Sequence, residues 1–331
     1  MIEKFVLDGC TFTEGGFHGL SEEVLNSSLD AFFLTVPGQM EGFHECLIEI
    51  GKIYSLSDRV EKRLKVIKSY NDIKTLKIDN KKGIILTFQD PHPVENSFDK
   101  LRIYYELGIR VFQLTYNKMN FIGTGCLESI DRGLTDYGQK LVKELNRLGI
   151  LIDLSHCSYQ TALDTFETSE KPVVFSHAGA KTLTNSPRNK TDLELKLLKQ
   201  NGGVIGLSPW GPLCWKKETK QRPKMDDFLD QIEYVVNLIG IDHIGFGGDS
   251  TLDNNDDQSG IIEQSTLYAP VVEDYNKYVG TDPDVRHAID IKGVWQIGNV
   301  EEGLRNRGFS QEDIAKFTGG NFMRVIKETW Q

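Results

Sequence analysis

Short apolar segments rich in β-branched and aromatic residues recur along the chain, and most of them are separated by longer segments with helical periodicity. Segments that are almost continuously apolar are typical of strands covered on both faces. The clearest helical segments each end on a glycine, a common helix terminator; they cover residues 99–108, 135–149 and 225–240. The pattern predicts eight strands, at residues 4–9, 31–36, 83–89, 111–116, 151–156, 172–177, 202–209 and 243–249.

This alternation predicts an α/β fold, because parallel strands need a crossover connection that is usually helical. Eight such units favour a (β/α)8 TIM-type barrel over an open doubly wound sheet. Two regions interrupt the rhythm: residues 40–80, where we expect a helical insertion of two helices after strand 2, and the polar residues 250–300, where we expect a long loop after strand 8. No Pro-rich or Ser-rich linker divides the chain, so a single domain is expected over residues 1–331.

Charge and cysteine content narrow the possible partners and location. The chain has 48 acidic and 38 basic residues, a net charge of -10, and no dense Lys/Arg run, which argues against nucleic-acid binding. The five cysteines show no CxxC spacing, as expected for reduced thiols in the cytoplasm. The sequence shows neither an apolar signal region at the N-terminus nor an apolar run long enough to span a membrane. We therefore expect an unexported cytoplasmic protein that does not contact a membrane.

Two stretches, "LIDLSHCS" (151–158) and "PVVFSHAG" (172–179), each end an apolar run with Ser-His. In a barrel the active site lies at the carboxyl ends of the strands, so polar residues there are informative. We expect His156 and His177 to share one cavity and, with carboxylates opposite, to form a site for a divalent metal ion. The polar residues predicted to ring this cavity are Asp8, Cys10, Thr35, Gln89, Asp90, Tyr116, His156, His177, Ser208 and Asp249.

Other candidates have a structural and a functional interpretation. Asp249 is either catalytic or a loop cap, and Cys10 is either a small buried residue or a metal contact. Arg188, in "SPRNKTD" (186–192), either holds a substrate carboxylate with its planar fork or forms a surface ion pair. His92 lies between two prolines and is expected to be exposed. The remaining four histidines are assigned no role.

Several longer segments resemble one known family. They are "LTYNKMNFIGTGCLE" (114–128), "GLTDYGQKLVKELNRLGILIDLSH" (133–156), "PVVFSHAGAKTLTNSPRN" (172–189), "GGVIGL" (202–207), "HIGFGGD" (243–249) and "GGNFMRV" (319–325). Together they resemble the membrane (renal) dipeptidases, peptidase family M19, within the amidohydrolase-like metal barrels. The resemblance extends from Asp8 to about Val325.

The resemblance implies a zinc hydrolase that cleaves dipeptides or related amides, acting on a small molecule with a carboxylate, and it suggests a homodimer. It assigns His156 and His177 to one metal ion. It also implies that Arg188, next to Asn189, grips the substrate carboxylate, and that Asp249 handles the proton of the attacking water.

The chain departs from the family pattern at the other metal. The family's first strand normally ends in Asp-Gly-His-x-Asp, whereas this chain reads "DGCTF", with Cys10 and Phe12 in the ligand positions. The resemblance places Gln89 where a bridging Glu is expected and Tyr116 where a substrate-contacting His is expected. Two close cations need anionic ligands to offset their repulsion, so these replacements disfavour a binuclear site.

Three functions follow from these residues. The first is a hydrolase with one zinc ion on His156 and His177, with Cys10, Gln89 or water completing the ligand shell. The second is a non-hydrolytic acid–base enzyme, for example a tautomerase, that uses the histidines, Asp249 and Tyr116 without a metal. The third is a catalytically silent protein that holds a carboxylated ligand. The first is favoured because the two histidines and the Arg-Asn loop are intact.

Overall fold

The computed structural model describes residues 4–13, 16–36, 41–252 and 268–330. All strand pairs are parallel, in the order β10-β1-β2-β4-β5-β6-β7-β8-β9, and short β3 pairs with the start of β4. The strands are β1 Leu7–Phe12, β2 Ala31–Thr35, β3 Leu64–Val66, β4 Lys82–Phe88, β5 Ile109–Gln113, β6 Leu151–Asp153, β7 Val173–Ala178, β8 Val204–Leu207, β9 Ile244–Phe246 and β10 Ser250–Thr251.

The sheet closes through the last two strands, which are separated only by residues 247–249. Strand β9 pairs with β8, while β10 pairs with β1 through Thr11 opposite Ser250 and Phe12 opposite Thr251. One run of chain therefore joins both edges of the sheet, and the fold is the predicted (β/α)8 TIM-type barrel.

Helices cover the outside of the barrel and begin and end at the expected signals. Ser97, Thr135 and Thr191 cap helix N-termini with their side chains, and Gly108 and Gly149 end helices in the left-handed conformation that glycine adopts without strain. The helices are α1 Glu22–Leu25, α2 Phe43–Ser57, α3 Tyr70–Thr75, α4 Phe98–Leu107, α5 Asp136–Leu148, α6 Tyr159–Thr168, α7 Asp192–Asn201, α8 Gly211–Cys214, α9 Met225–Ile239, α10 Ala269–Tyr278, α11 Ile297–Asn306, α12 Gln311–Ala315 and α13 Asn321–Thr329. None of the helices in these described ranges combines the length and apolar character needed to cross a bilayer.

The two predicted interruptions have different outcomes. The insertion after β2 contains the two predicted helices, α2 and α3, together with strand β3, which the sequence pattern did not predict. The predicted long loop after the eighth barrel strand covers 250–300: residues 253–267 lie outside the described residues, and α10 and the first turn of α11 occupy part of the rest. Helical segments therefore replace part of the predicted loop.

Several predicted strand ends were wrong because buried polar side chains bond to the backbone around them. The first strand, predicted at 4–9, runs from 7 to 12, and buried Asp8 accepts hydrogen bonds from the backbone N–H groups of Cys10 and Gly248. The predicted strand 151–156 ends at Asp153, whose carboxylate accepts the backbone N–H of Ser155 and turns the chain. His156 therefore lies in a turn beyond β6.

Apolar side chains fill the amino end of the barrel interior. Phe322 of α13 enters from below and packs edge-on against Phe33, with ring centroids 5.5 Å apart. Above it the walls come close together: a Cβ on Gly206 would lie 1.9 Å from the Ser176 carbonyl oxygen. Strands β1, β2 and β4 to β8 place apolar residues in the cluster that contains Phe322; these are Leu7, Ala31, Phe33, Ile85, Val111, Leu151, Val174 and Val204.

Candidate active site

A cavity opens at the carboxyl end of the barrel and, counted with its open mouth, holds about 910 Å³. Six residues predicted to ring it, Thr35, Gln89, Asp90, Tyr116, His156 and Asp249, are in its wall. Its described lining is Phe12, Thr13, Thr35, Gln89, Asp90, Tyr116, His156, Arg188, Trp210, Asp249, Tyr268, Arg286 and His287. The predicted residues Asp8, Cys10, His177 and Ser208 are buried and are not among these wall residues.

His156 and His177 meet at the inner end of this cavity. Both side chains are buried, and their Nε2 atoms lie 3.0 Å apart. Asn117 Oδ1 lies 2.7 Å from His156 Nδ1, and an amide oxygen can only accept, so Nδ1 carries the proton of the neutral ring. The Ser176 hydroxyl donates to the Asp153 carboxylate, which leaves its oxygen to accept from His177 Nδ1 at 2.7 Å.

Both imidazoles therefore direct an Nε2 lone pair at the other. Burial holds the pKa of each imidazole well below its ordinary value, and the nearby positive charge of Arg188 lowers it further. Two lone pairs this close repel unless a proton or a metal ion lies beside them. The arrangement fits a cation, because histidine ligands of metal ions are normally oriented by a hydrogen bond from the second nitrogen.

Cys10 and Asp249 add two further donors next to this pair. The sulfur of Cys10, a ring nitrogen of His177 and a carboxylate oxygen of Asp249 all lie within 4.8 Å of one another. Gln89 Nε2 donates to Cys10 Sγ at 3.0 Å. Burial, together with the negative charge of Asp249, raises the pKa of Cys10 well above its ordinary value. Sulfur, imidazole and carboxylate donors in one cluster suit zinc, so the residues present fit one such ion.

Asp249 has a left-handed backbone, with φ of 51°, and its N–H donates to the Cys10 carbonyl at 2.9 Å. Burial raises the pKa of its carboxyl group, and the positive charges of Arg188 and Arg286 oppose that rise. His287 Nε2 donates to the carbonyls of Gly248 at 3.1 Å and Asp249 at 3.0 Å, which fixes this turn.

His287, to which the sequence pattern assigned no role, lines the cavity. Burial lowers the pKa of its imidazole to about 4. His287 follows Asp249 by 38 positions and belongs to no strand, so no periodicity or motif places it at the site. Its antiparallel bridge to Trp210, another wall residue, and its bonds to the carbonyls of Gly248 and Asp249 place it there.

Arg188 is buried and lies in the cavity wall, but two of its N–H groups are engaged by the backbone. Nη1 donates to the Ser155 carbonyl at 2.5 Å and Nη2 to the His177 carbonyl at 3.3 Å. Asn189 is not among the described wall residues; its amide nitrogen donates to the carbonyls of Thr184 and Leu213. The role of both residues in binding substrate stays a prediction.

Aromatic rings form one side of the cavity. Tyr116 stacks on His156, with ring centroids 4.2 Å apart and an angle of 21° between the planes. Tyr268 meets Tyr116 edge-on at 5.9 Å, and Phe12 and Trp210 also belong to the wall. The wall therefore offers both apolar surface and, through Arg188 and Arg286, positive charge.

The protein is a closed (β/α)8 barrel with a buried pair of imidazoles at the carboxyl end of its strands. Fold and site together define a barrel with a candidate metal centre at that end. The model of one family, the membrane dipeptidases (peptidase family M19), matches residues 16–274. The chain belongs to this family, as the sequence resemblance predicted.

Similar proteins agree with this assignment. Dipeptidase tcpJ of Claviceps purpurea is 30% identical over 288 residues, which is 86% of this chain and 58% of that protein. An uncharacterized dipeptidase of Schizosaccharomyces pombe is 38% identical over 175 residues, covering 52% of this chain and 42% of that protein. The chain thus spans about half the length of these curated relatives.

Two solved structures are similar over nearly the whole chain. An amidohydrolase from Pseudomonas aeruginosa has a TM-score of 0.86 and 31% identity, with 99% of this chain and 97% of that chain covered. A metallo peptidase from Rhodobacter sphaeroides, liganded with a phosphinate mimic of L-Ala-D-Ala, has a TM-score of 0.78 and 18% identity, covering 99% and 100%. The second likeness supports the fold alone.

Proposed function

We propose that this protein hydrolyses the peptide or amide bond of a small amino-acid-derived substrate that carries a carboxylate, using at most one zinc ion. The observation that carries the proposal is the pair of Nε2 atoms of His156 and His177, 3.0 Å apart, with each Nδ1 proton already engaged. Membership of the membrane dipeptidase family supports the same activity.

His156 and His177 would hold the ion, with Cys10 as a further candidate ligand. A bound zinc ion supplies Lewis acidity and positive charge beside a scissile carbonyl. A second ion is disfavoured because Phe12, whose ring lines the cavity, and neutral Gln89 stand where the family resemblance expects carboxylates. Without those two negative charges, the repulsion between two cations would be offset less.

The chain's own residues supply the remaining steps. Asp249 would accept a proton from the attacking water. Burial raises its pKa toward neutral pH, and a general base is most effective when its pKa lies near the working pH. Arg188 would hold the substrate carboxylate with N–H groups that do not bond to the backbone. Tyr116 covers one face of His156 and excludes water from it.

Metal quantification with an activity screen tests the proposal. Purified protein is analysed for zinc, then assayed against dipeptides and N-acylated amino acids before chelation, after chelation and after zinc is restored. We expect about one zinc per chain and an activity that follows the metal. As a control, His92→Ala removes a half-exposed histidine and should leave both readouts unchanged.

A metal-free protein that hydrolyses none of these compounds with or without added zinc would contradict the proposal. Asp249→Asn then separates the two remaining functions: a non-hydrolytic enzyme loses turnover, whereas a binding protein keeps its ligand. The single domain, the cytoplasmic location and the homodimer stay predictions. Light scattering on purified protein tests the last of these.

A further inference from the structure

Two buried cations, Arg188 and Lys190, lie on the loop between β7 and α7. Each side chain is 1% exposed. Their hydrogen-bond partners in the described ranges are backbone carbonyls, not carboxylates. Burying a cation without a counter-charge is costly unless its N–H groups are hydrogen-bonded. The hydrogen-bond acceptors of these two residues therefore show which part of the chain they hold in place.

Lys190 bonds to the chain on both sides of His156. Its Nζ donates to the Leu154 carbonyl at 3.2 Å and to the Cys157 carbonyl at 3.2 Å. The ammonium group also lies 4.7 Å from the centre of the Phe175 ring, which belongs to β7. One side chain thus ties the turn after β6 to the neighbouring strand.

Arg188 completes the same set of contacts. It donates to the carbonyl of Ser155, inside this turn, and to the carbonyl of His177 itself. The loop that carries both cations is held in turn, because the Lys190 N–H donates to the Gly179 carbonyl and the Lys190 carbonyl accepts from Lys181 N–H, both at 2.9 Å. The backbone around both histidines is therefore bonded to cations of the loop that follows β7.

We propose that Lys190 is a positioning residue, which fixes the turn from Leu154 to Cys157 and thereby directs His156 Nε2 toward His177. The carbonyls of Leu154 and Cys157 lose their ammonium donor when Lys190 is replaced by an apolar side chain. The turn then settles into other conformations, and the separation of the two Nε2 atoms is no longer enforced. Lys190 touches neither imidazole in this role; it acts through the backbone.

The inference rests on the proposed function where zinc affinity or turnover is measured, and is independent of it where hydrogen exchange is measured. Lys190→Met keeps the length of the stem and removes the charge, and Lys181→Met is the matched control on the same loop. Circular dichroism and thermal unfolding establish that both variants fold. We expect zinc affinity, measured by competition with a chromogenic chelator, to fall by about 10 to 100-fold for Lys190→Met and not for Lys181→Met. For turnover of whichever compound the screen identifies, kcat should fall while KM changes less than about twofold, because Lys190 does not touch the substrate.

Hydrogen exchange of the metal-free protein gives a second readout that needs neither metal nor substrate. Amides of residues 154–158 should exchange about tenfold faster in Lys190→Met, with the rest of the barrel unchanged. Wild-type zinc affinity and wild-type exchange in a folded Lys190→Met would overturn the inference. If that variant does not fold, Lys190→Gln, which keeps one shorter donor, takes its place. A wild-type protein with neither zinc affinity nor hydrolytic activity would refute the proposed function, while the exchange comparison would still decide the role of Lys190.

Discussion

The Nε2 atoms of His156 and His177 face each other at 3.0 Å, although the two residues are 21 positions apart and belong to different βα units. Two imidazoles that share one tetrahedral zinc ion at about 2.0 to 2.1 Å place their nitrogens about 3.3 Å apart. A small rotation of either ring therefore accommodates an ion. The two rings are held near this geometry by hydrogen bonds at their other nitrogens.

Asn117→Ala should weaken zinc binding by about 10 to 100-fold, because it removes the acceptor that holds the His156 Nδ1 proton. The ring could then adopt the other tautomer and turn its lone pair away from His177. Isothermal titration with zinc measures the effect, and Asn71→Ala, on exposed surface, serves as the control. Equal zinc affinity in the wild type and Asn117→Ala would show that Asn117 does not set the tautomer.

Cys10→Ser should remove the sulfur-to-metal charge-transfer band of the cobalt-substituted protein. The band requires Cys10 Sγ to be a ligand of the metal ion. This sulfur lies within 4.8 Å of candidate donor atoms on His177 and Asp249. Near-ultraviolet absorption after cobalt titration measures it. Cys46→Ser, at a buried cysteine in α2, should keep the band. A cobalt-loaded wild type without this band would mean that Cys10 is only a small core residue.

Asp249→Asn should lower kcat by about 10² to 10⁴-fold while zinc and ligand affinity change much less, because the amide cannot accept a proton from water. Steady-state kinetics on the best substrate of the screen, together with binding of a non-hydrolysed analogue, checks both halves. Loss of zinc binding instead of turnover would reassign Asp249 from general base to metal ligand.

Asp8→Asn should change how the stability of the metal-free protein depends on pH. Burial raises the pKa of Asp8 to about 7, and one of its carboxylate oxygens has no hydrogen-bond partner among the described residues. Because the folded pKa exceeds the unfolded value of 3.8, the folded state binds more protons between these values, and the Asp8 contribution to stability falls as pH rises from about 4 to about 7.

The variant lacks this titration. As pH rises across that range, its free energy of unfolding should therefore increase relative to that of the wild type, by up to about 4 kcal/mol. Urea unfolding at pH 5 and pH 8, with chelator present, measures the difference between the two proteins. Parallel stability curves for both proteins would show that Asp8 is already ionised at pH 5.

The triple substitution Cys10→His, Phe12→Asp and Gln89→Glu should raise the zinc content from one ion to two. It restores the ligands that the family resemblance implies and returns two negative charges to the cavity, which lowers the repulsion between two cations. Zinc analysis after dialysis measures the stoichiometry. The single substitution Gln89→Glu, which restores one charge only, should still bind one ion.

The positions of the eight barrel strands and the three clearest helices could be predicted because each leaves a local periodicity in the chain. Strand ends were less predictable. Asp8 and Asp153 are polar, and a polar residue would be expected to end a strand, yet both are buried. Asp8 accepts the backbone N–H of Gly248, far along the chain, and Asp153 accepts the backbone N–H of Ser155, where the chain turns back. Strand β3 is three residues long and lies among Lys and Arg residues, so no continuous apolar run marks it.

The residues of the candidate site divide in the same way. His156 and His177 were predictable because each follows an apolar run directly, and strand ends meet at one mouth of a barrel. Lys190 gave no such signal, since its function depends on carbonyls more than 30 positions away. His287 gave none either, since it is held in the cavity wall by a bridge to Trp210 and by the carbonyls of Gly248 and Asp249.

The sequence by itself determined the barrel, the family and the pair of histidines, because strand periodicity and strand-end chemistry are properties of neighbouring residues. Tertiary structure alone decided which nitrogen of each imidazole faces the other, that Cys10 and Asp249 lie beside them, and that Arg188 and Lys190 grip the backbone around them. Those relationships depend on distances between residues far apart in the chain, and such distances are set by barrel closure and packing, which no local pattern encodes.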